Sequence, residues 1–251
     1  MARLIILGTA SAIPAVGREN THMALETQNG VILVDCVGSP AVRLAQANLA
    51  INDINDVILT HFHPDHVSGI PILLMNMWLL GRRTELRIHA LDHCLERVQS
   101  MMALYSWHKW PSFFPVRFST IPASEGTLVI ENRDVRILAS PVRHLIPTIG
   151  LRFNSSHGHT EIAYSCDTEP CPAVARLASG VDLLIHEATG AGSGHSSASQ
   201  AGSIAREAQA SELLLIHFDA AHANPDALIR QAQETFPGKV GLTSDFMEFR
   251  M

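Results

Sequence analysis

Three imidazoles and one carboxylate lie within the six residues His61-Phe62-His63-Pro64-Asp65-His66. This segment directly follows the apolar run Val57-Ile58-Leu59, which is typical of a buried strand. His61 and His63 are two positions apart, so an extended backbone directs them to one face. Asp65 and His66 come at the turn into the next element and can reach a second point nearby. Histidines and carboxylates at such spacing are typical ligands of zinc and similar divalent ions. The segment therefore predicts a site for two metal ions, although a polar loop with incidental histidines is the alternative.

Further polar residues of the same types follow apolar runs later in the chain. His144, Asp167, the pair His186-Glu187, and His217 each come at or just after the end of a predicted strand. A single histidine after a strand is more often structural than a ligand. Loops at one edge of a sheet commonly build a site together, however. These residues are therefore candidates to complete the site that His61–His66 begins.

The predicted elements that position these residues mix strands and helices along the whole chain. Strands are predicted at 4–7, 23–27, 31–35, 57–60, 86–89, 116–120, 128–131, 135–139, 148–153, 161–164, 182–186 and 212–217. Helices are predicted at 40–50, 69–80, 92–107, 172–178, 197–209 and 225–235. Asn29-Gly30 indicates a hairpin, and Ser39 followed by Pro40 is typical of a helix start. We expect an α+β fold in one domain, residues 1–251, with sheets inside and helices outside.

Composition excludes several classes of function. The chain has 251 residues, a net charge of −6 and only two lysines, so its overall charge attracts no polyanion and DNA binding is not expected. Its longest apolar stretch, residues 70–80, is far shorter than the roughly 20 residues that span a bilayer. No signal peptide is recognisable, and the four cysteines form no Cys-x-x-Cys pair. We expect reduced thiols and a cytoplasmic protein without membrane contact.

The segment His61–His66 resembles the His-x-His-x-Asp-His signature of the metallo-β-lactamase-fold hydrolases. The resemblance extends to one branch, the ribonuclease Z-like proteins, and covers nearly the whole chain. The matching segments are Leu7-Gly8-Thr9, Val34-Asp35-Cys36, Leu59–His66, Tyr164-Ser165-Cys166-Asp167-Thr168, His186-Glu187-Ala188-Thr189, Gly194-His195-Ser196-Ser197-Ala198 and Leu215-Ile216-His217-Phe218. It implies a four-layer αβ/βα sandwich and a homodimer.

The resemblance also implies a division of the metal ligands. His61, His63 and His144 would hold one ion, while Asp65, His66 and His217 would hold the other, with Asp167 bridging the two. Two Zn²⁺ ions per chain are expected, with Mn²⁺ or Fe as alternatives, and a hydroxide between them would be the nucleophile. Asp167 stands where many true β-lactamases of this fold carry a cysteine. An antibiotic hydrolase is therefore disfavoured.

Catalytic roles are expected for His195, Glu187 and Asp65. His195 would not be a ligand but would reach a phosphoryl oxygen or the leaving group; an exposed histidine beside a helix start is the structural alternative. Glu187 would orient His195 or a metal-bound histidine. Asp65 would handle a proton as well as bind metal.

One feature of the ribonuclease Z-like branch is missing from this sequence. Its bacterial transfer-RNA-trimming members carry a flexible basic arm between the third-motif histidine and the bridging aspartate, but His144 and Asp167 are only 23 positions apart. Two predicted strands and a turn at 155–159 fill that interval. We therefore predict a phosphodiesterase acting on a small molecule or RNA. The alternatives are a true transfer-RNA 3′-processing endoribonuclease, a sulfate or carboxylic ester (lactone) hydrolase, and an inactive dimeric scaffold.

The sequence does not assign a single role to the aromatic residues near the middle of the chain or to the remaining histidines. The aromatic residues between 105 and 114 fit a substrate mouth, a core or a dimer contact equally well. The remaining histidines are interpreted as surface or ordinary interior residues; they are His22, His89, His93, His108, His157, His159 and His222. The role of His186 is undetermined.

Overall fold

The computed structural model of the protein describes residues 2–156 and 160–251. Its strands are β1 (Arg3–Gly8), β2 (His22–Thr27), β3 (Gly30–Val34), β4 (Ile54–Ile58), β5 (Leu86–Ala90), β6 (Val116–Thr120), β7 (Thr127–Glu131), β8 (Val135–Val142), β9 (Thr148–Ser155), β10 (Glu161–Tyr164), β11 (Leu183–Glu187), β12 (Glu212–Ile216), β13 (Lys239–Leu242) and β14 (Glu248–Arg250). Its α-helices are α1 (Pro40–Gln46), α2 (Pro64–Val67), α3 (Ile70–Leu79), α4 (Asp92–Leu104), α5 (Pro172–Leu177), α6 (Ala198–Glu207) and α7 (Pro225–Gln233). The histidines at 157 and 159 and most of the predicted turn lie outside the described residues.

The strands form two sheets of similar design. The first has the order β14-β1-β2-β3-β4-β5-β6 and the second the order β13-β12-β11-β10-β9-β8-β7. In the first sheet, β3 to β6 run parallel. In the second sheet, β10 to β13 run parallel. Each parallel set aligns the carboxyl ends of its strands along one edge, where the loops that follow can meet.

Three apolar clusters define four layers. The middle cluster joins the two sheets and includes Leu4 and Ile6 of the first and Phe153 of the second. A second cluster packs α1, α3 and α4 on the outer face of the first sheet. A third packs α5, α6 and α7 on the outer face of the second. The order helix, sheet, sheet, helix confirms the predicted α+β sandwich.

Strand β1 illustrates how the sequence encodes these layers. Leu4 and Ile6 face the other sheet, while Ile5 and Leu7 face the helices. A strand covered on both faces reads as a continuous apolar run rather than an alternating one. The predicted hairpin at Asn29-Gly30 is also present, because β2 and β3 pair antiparallel with Thr27 opposite Gly30.

Several local predictions are wrong in detail. Strands β13 and β14 were not predicted because they are short and partly exposed edge strands, which tertiary pairing rather than local pattern creates. Helix α1 ends at Gln46 instead of residue 50, since Asn48 takes the left-handed conformation with φ of 58°. Ser39 precedes α1 without a side-chain capping bond, whereas Ser197 forms a full capping box with Gln200 at the start of α6. No described helix has the length and apolar character needed to cross a membrane.

Candidate metal centre

Loops after the strand ends of both sheets deliver the predicted metal ligands to one place. His61 and His63 follow β4, and Asp65 and His66 lie on the short helix α2. The second sheet supplies three more residues from the loops after β8, β10 and β12, namely His144, Asp167 and His217. The side chains of all seven form two groups whose potential ligand atoms lie close together.

The first group consists of three imidazoles. The Nε2 atom of His61 lies 3.0 Å from Nδ1 of His63, which in turn lies 3.1 Å from Nε2 of His144. An Asp167 Oδ2 atom closes the group at 3.9 Å from His61 Nε2 and 4.0 Å from His144 Nε2. Three ring nitrogens and one carboxylate oxygen thus surround a common point.

The second group contains two imidazoles and two carboxylates. His66 Nε2 lies 3.6 Å from an oxygen of Asp65 and 3.6 Å from Asp167 Oδ2. His217 Nε2 lies 3.3 Å from the same Asp167 oxygen and 3.9 Å from Asp65 Oδ2. Asp167 is therefore shared by both groups.

The donor set fits two divalent ions. Zinc bonds of about 2.0–2.2 Å in tetrahedral geometry hold neighbouring ligand atoms about 3.3–3.6 Å apart, close to the spacings found here. Two atoms of the ligand side chains, His66 Nε2 and Asp167 Oδ1, are buried and have no hydrogen-bond partner among the described residues. Buried polar atoms are rarely left unpaired unless a ligand or ion satisfies them. The chain thus carries a candidate dinuclear metal centre.

The charge states within the centre suit cation binding. Burial lowers the pKa of His61, His63 and His217, so these imidazoles are neutral and offer lone pairs. Burial raises the pKa of Asp167, but His217 and His66 outweigh it and hold that pKa well below its usual value. Burial likewise opposes protonation of His66, yet Asp167 and Asp35 raise the pKa of His66 well above normal. A divalent cation held at Nε2 of His66 would supply the positive charge that protonation supplies without it.

Asp35 fixes the orientation of His66, a role that the sequence analysis did not assign. The Nδ1 atom of His66 bonds Asp35 Oδ2 at 2.8 Å, and the Thr60 amide donates to Asp35 Oδ1 at 2.8 Å. Asp35 is fully buried and follows β3 with φ of 59°. A carboxylate behind a ligating imidazole sets the ring's tautomer and leaves Nε2 free for metal. The sequence feature that could indicate this role is an aspartate directly after an apolar strand.

His144 is fixed by the segment around Gly194. Its Nδ1 donates to the Gly194 carbonyl oxygen at 2.6 Å, which leaves Nε2 directed at the metal centre. Gly194 has φ of 81°, and a Cβ there would lie 2.9 Å from His144 Nδ1 and 2.8 Å from Leu145 Cγ. The glycine of the segment Gly194-His195-Ser196 is thus required both by its conformation and by this close approach.

His217 is held by the N-terminal loop. Its amide donates to the Thr9 carbonyl oxygen at 3.0 Å, and its own carbonyl accepts from Thr189 Oγ1 at 2.7 Å. Thr9 in turn donates to Asp245, which also pairs with Arg43 at 2.5 Å. His217 has φ of 53°, a conformation that costs energy and is maintained by such contacts.

His195 and Glu187 form a hydrogen-bonded pair beside the two ligand groups. His195 Nδ1 lies 3.0 Å from Glu187 Oε1. Glu187 is fully buried and accepts from the backbone amides of Thr168, Thr189 and Ser196. The hydrogen bond to Glu187 raises the pKa of His195. Two alternative partners are predicted for Glu187, namely His195 and a metal-bound histidine. In the structure Glu187 bonds His195, and it bonds no metal-directed imidazole among the described residues.

A cavity of about 530 Å³ opens onto the centre. Its walls are formed by Ser11, Ala12, Ile13, His63, Pro64, Asp65, Asp167, Thr189, His195, His217 and Asp219. No lysine or arginine is among these residues. The aromatic residues predicted as a possible mouth are absent from these walls. Phe114 is buried in the core under the helices of the first sheet, and Trp107, Trp110 and Phe113 pack against that core while partly exposed.

The family of the chain follows from comparison with known proteins. A family described as "Beta-lactamase superfamily domain" matches residues 31–218, a span that contains every residue of both ligand groups. The chain belongs to the β-lactamase superfamily. The family predicted from the histidine motif is thereby confirmed.

Individual relatives and solved structures are similar to this chain over nearly its full length. Ribonuclease Z from Methanothermobacter thermautotrophicus is 26% identical, with 94% of this chain and 93% of the relative covered. Ribonuclease Z from Phocaeicola vulgatus is 28% identical, with 92% of each covered. Among solved structures, the metallo-β-lactamase fold protein YhfI from Bacillus subtilis has a TM-score of 0.83 at 21% identity, covering 99% of this chain and 98% of that one. The short form of human tRNase Z has a TM-score of 0.76 at 23% identity, with the same coverage.

Metal content tests the assignment of the bridging carboxylate. We expect about two divalent ions per chain. Asp167→Ala should lose both ions or retain one weakly, because Asp167 Oδ2 is shared by the two groups. Asp219→Asn is the matched control, since Asp219 lines the same cavity but belongs to neither group. Elemental analysis of purified protein after zinc addition measures both; protein that takes up no metal would contradict the assignment.

Proposed function

We propose that the protein is a dinuclear zinc-dependent phosphodiesterase of the ribonuclease Z type. The observation that carries this proposal is the convergence of seven ligand side chains next to the hydrogen-bonded pair His195 and Glu187. The ribonuclease Z relatives support it. So does a structural neighbour described as a diphosphatase of the PhnP family, which has a TM-score of 0.75 at 18% identity and covers 100% of this chain and 98% of that one.

The proposed chemistry divides between the ions and the side chains. When bound, a pair of such ions supplies Lewis acidity and an activated water nucleophile at neutral pH. His61, His63 and His144 would hold one ion, Asp65, His66 and His217 the other, and Asp167 both. Asp65 also lines the cavity, so its carboxylate can accept a proton from a group bound there.

His195 is assigned the role of general acid or phosphoryl-binding group. The Glu187 carboxylate accepts a hydrogen bond from Nδ1 of His195. The other ring nitrogen, Nε2, is therefore left to donate to a phosphoryl oxygen or to the leaving group. The pKa raised by Glu187 increases the fraction of His195 that carries this proton near neutral pH. Glu187 is itself fixed by three backbone amides, so it is a positioning residue.

A true transfer-RNA 3′-processing endoribonuclease is the second candidate, because the relatives matched over 92–94% of this chain are ribonucleases Z. Against it, the described part of the interval between His144 and Asp167 consists of β9, β10 and short connections. The described walls of the cavity also contain no lysine or arginine. Tight RNA binding draws on lysine and arginine contacts to phosphates. An inactive scaffold is disfavoured because the ligand set is complete.

We also infer one domain over residues 1–251 and a cytoplasmic location. The inter-sheet core, which includes residues from Ala2 to Met251, supports the single domain. The cysteines support the location, since all four are buried and free of disulfides.

Replacing His195 separates catalysis from metal binding. His195→Ala should lower kcat on a chromogenic phosphodiester by roughly 10²–10⁴-fold, the usual scale of general acid–base assistance. Metal content should stay unchanged. His222→Ala is the matched control, because His222 is an exposed histidine on the loop that also carries Asp219. Loss of metal from His195→Ala would instead make His195 a ligand, as its proximity to His144 and Asp167 permits.

Substrate preference separates the two candidate functions. We expect good turnover of a chromogenic phosphodiester and poor, weakly selective cleavage of precursor transfer RNA by the same zinc-loaded preparation. The reason is that a small diester needs only the metal centre and His195, while RNA needs phosphate contacts that the cavity lacks. Both substrates should be compared at equal, moderate salt. Efficient cleavage at the end of the acceptor stem would establish the endoribonuclease instead.

A homodimer is the assembly that we propose. Exposed apolar side chains lie at the ends of α3 and α4, where Leu79, Leu80, Leu104 and Tyr105 are 66%, 60%, 86% and 56% exposed. Exposed apolar side chains of this size are typical of surfaces that contact another protein. Light scattering at micromolar concentration should give the mass of a dimer, and Leu104→Glu should shift it toward a monomer. Wild-type protein with the mass of a single chain would rule the dimer out.

A further inference from the structure

A second cavity, of about 480 Å³, lies between the two sheets and shares no wall residue with the metal centre. Its walls include Gly30, which begins β3, whereas Asp35, which supports the metal centre, follows the end of the same strand. The cavity therefore opens at the opposite edge of the sheet. Its volume falls in the range typical of small-molecule sites, roughly 300–1,000 Å³.

A partly buried charged cluster lines this cavity. The Asp56 carboxylate accepts from Arg87 Nη2 at 2.6 Å and from His89 Nε2 at 2.8 Å. The side chains of Asp56 and His89 are only 5% and 10% exposed, while Arg87 is 47% exposed. Asp56 lies two residues before Ile58, so it points to the same side, into the space between the sheets.

Placing charged side chains between two sheets costs desolvation free energy. Burying the Asp56 carboxylate between the sheets carries a desolvation penalty, which its contacts with the half-exposed Arg87 and with His89 offset. The sheets here also leave room beside the charges that side chains do not fill. An unfilled cavity in which several polar groups converge beside apolar side chains is typical of a ligand site.

The groups left available in the cavity define the ligand. Asp56 holds one side of Arg87 and one nitrogen of His89, so Arg87 Nη1 and His89 Nδ1 make no hydrogen bond to any described residue. Asn132 uses its Oδ1 to accept two backbone amides, which leaves its side-chain amide to donate. The apolar walls come from Ile32, Val129 and Ile130.

The acidic side chains of the cavity walls each face an arginine. Asp56 and Arg87 cancel, and Glu131 at the rim faces Arg136 at 3.7 Å. His89 also lines the cavity and keeps one ring nitrogen, Nδ1, outside its contact with Asp56. A carboxylate suits this arrangement, because arginine binds it through paired N–H groups.

We propose that this cavity is a second binding site, for a small monocarboxylate with an apolar body, held by Arg87 and His89 on the Asp56 carboxylate. The site is independent of the metal centre and of the proposed phosphodiesterase activity.

Three matched probes test the proposal on the zinc-loaded protein: benzoate, neutral benzamide and dianionic phenyl phosphate. Titration calorimetry should show benzoate binding that Arg87→Gln weakens by about tenfold or more, the scale of a lost charge-assisted hydrogen bond. Arg117→Gln is the control, because Arg117 lies opposite Arg87 on β6 and is absent from the cavity walls. Benzamide should bind at least about tenfold more weakly than benzoate. Phenyl phosphate binding should not change in Arg87→Gln.

The outcomes distinguish this site from the metal centre. Turnover of a chromogenic phosphodiester should be the same in Arg87→Gln, Arg117→Gln and wild type, which also shows that the variants fold. Benzoate binding of equal strength in Arg87→Gln and wild type would assign that binding to the metal centre and overturn the proposal. So would tighter binding of benzamide, or a phenyl phosphate affinity that depends on Arg87 more than the benzoate affinity does.

Discussion

A single buried carboxylate holds the candidate centre together. Asp167 is 2% exposed, and its Oδ2 atom lies 3.3 to 4.0 Å from Nε2 of four histidines, which are His61, His66, His144 and His217. A buried anion is stable only with compensating positive charge or hydrogen bonds. Its own Oδ1 has no hydrogen-bond partner among the described residues. Two cations would meet that requirement, and the surrounding loops are arranged as if around them.

The two-sheet design makes this arrangement possible. Parallel strands end at one edge of each sheet, so loops from β4 and from β8, β10 and β12 meet across the interface. A hydrogen bond from the Ile149 amide to the Thr60 carbonyl joins the sheets next to the histidine motif. Asp35, Cys166 and His217 all adopt positive φ where they follow strands, which costs of order 1–3 kcal/mol each. The packed core must maintain these conformations, and they turn the chain sharply at the centre.

Two imidazoles near the centre are each positioned by a buried carboxylate. Asp35 is fixed by the amide and hydroxyl of Thr60 and holds His66. Glu187 is fixed by three backbone amides and holds His195. In both cases a buried carboxylate orients a ring and selects which nitrogen faces the site. The two rings then differ in use, because His66 faces the shared carboxylate while His195 faces the cavity.

The sequence alone determined the local chemistry. Ligand types and spacing in His61–His66 follow from a strand and a turn, and the apolar runs before His144, Asp167 and His217 mark strand ends. Double-faced apolar strands also predict buried sheets, as β1 illustrates. These features depend on neighbours within a few residues, which is the range over which side-chain periodicity carries information.

Only the tertiary structure decided which distant residues meet. It selected Asp35 as a support for His66, gave Glu187 the partner His195, packed the aromatic residues near 107–114 in or against the core, and created β13 and β14 by edge pairing. It also joined His89 to Asp56, although the sequence offers no sign of that pair. Such contacts link residues tens to hundreds of positions apart, and they are set by how two sheets and their helices pack rather than by local pattern.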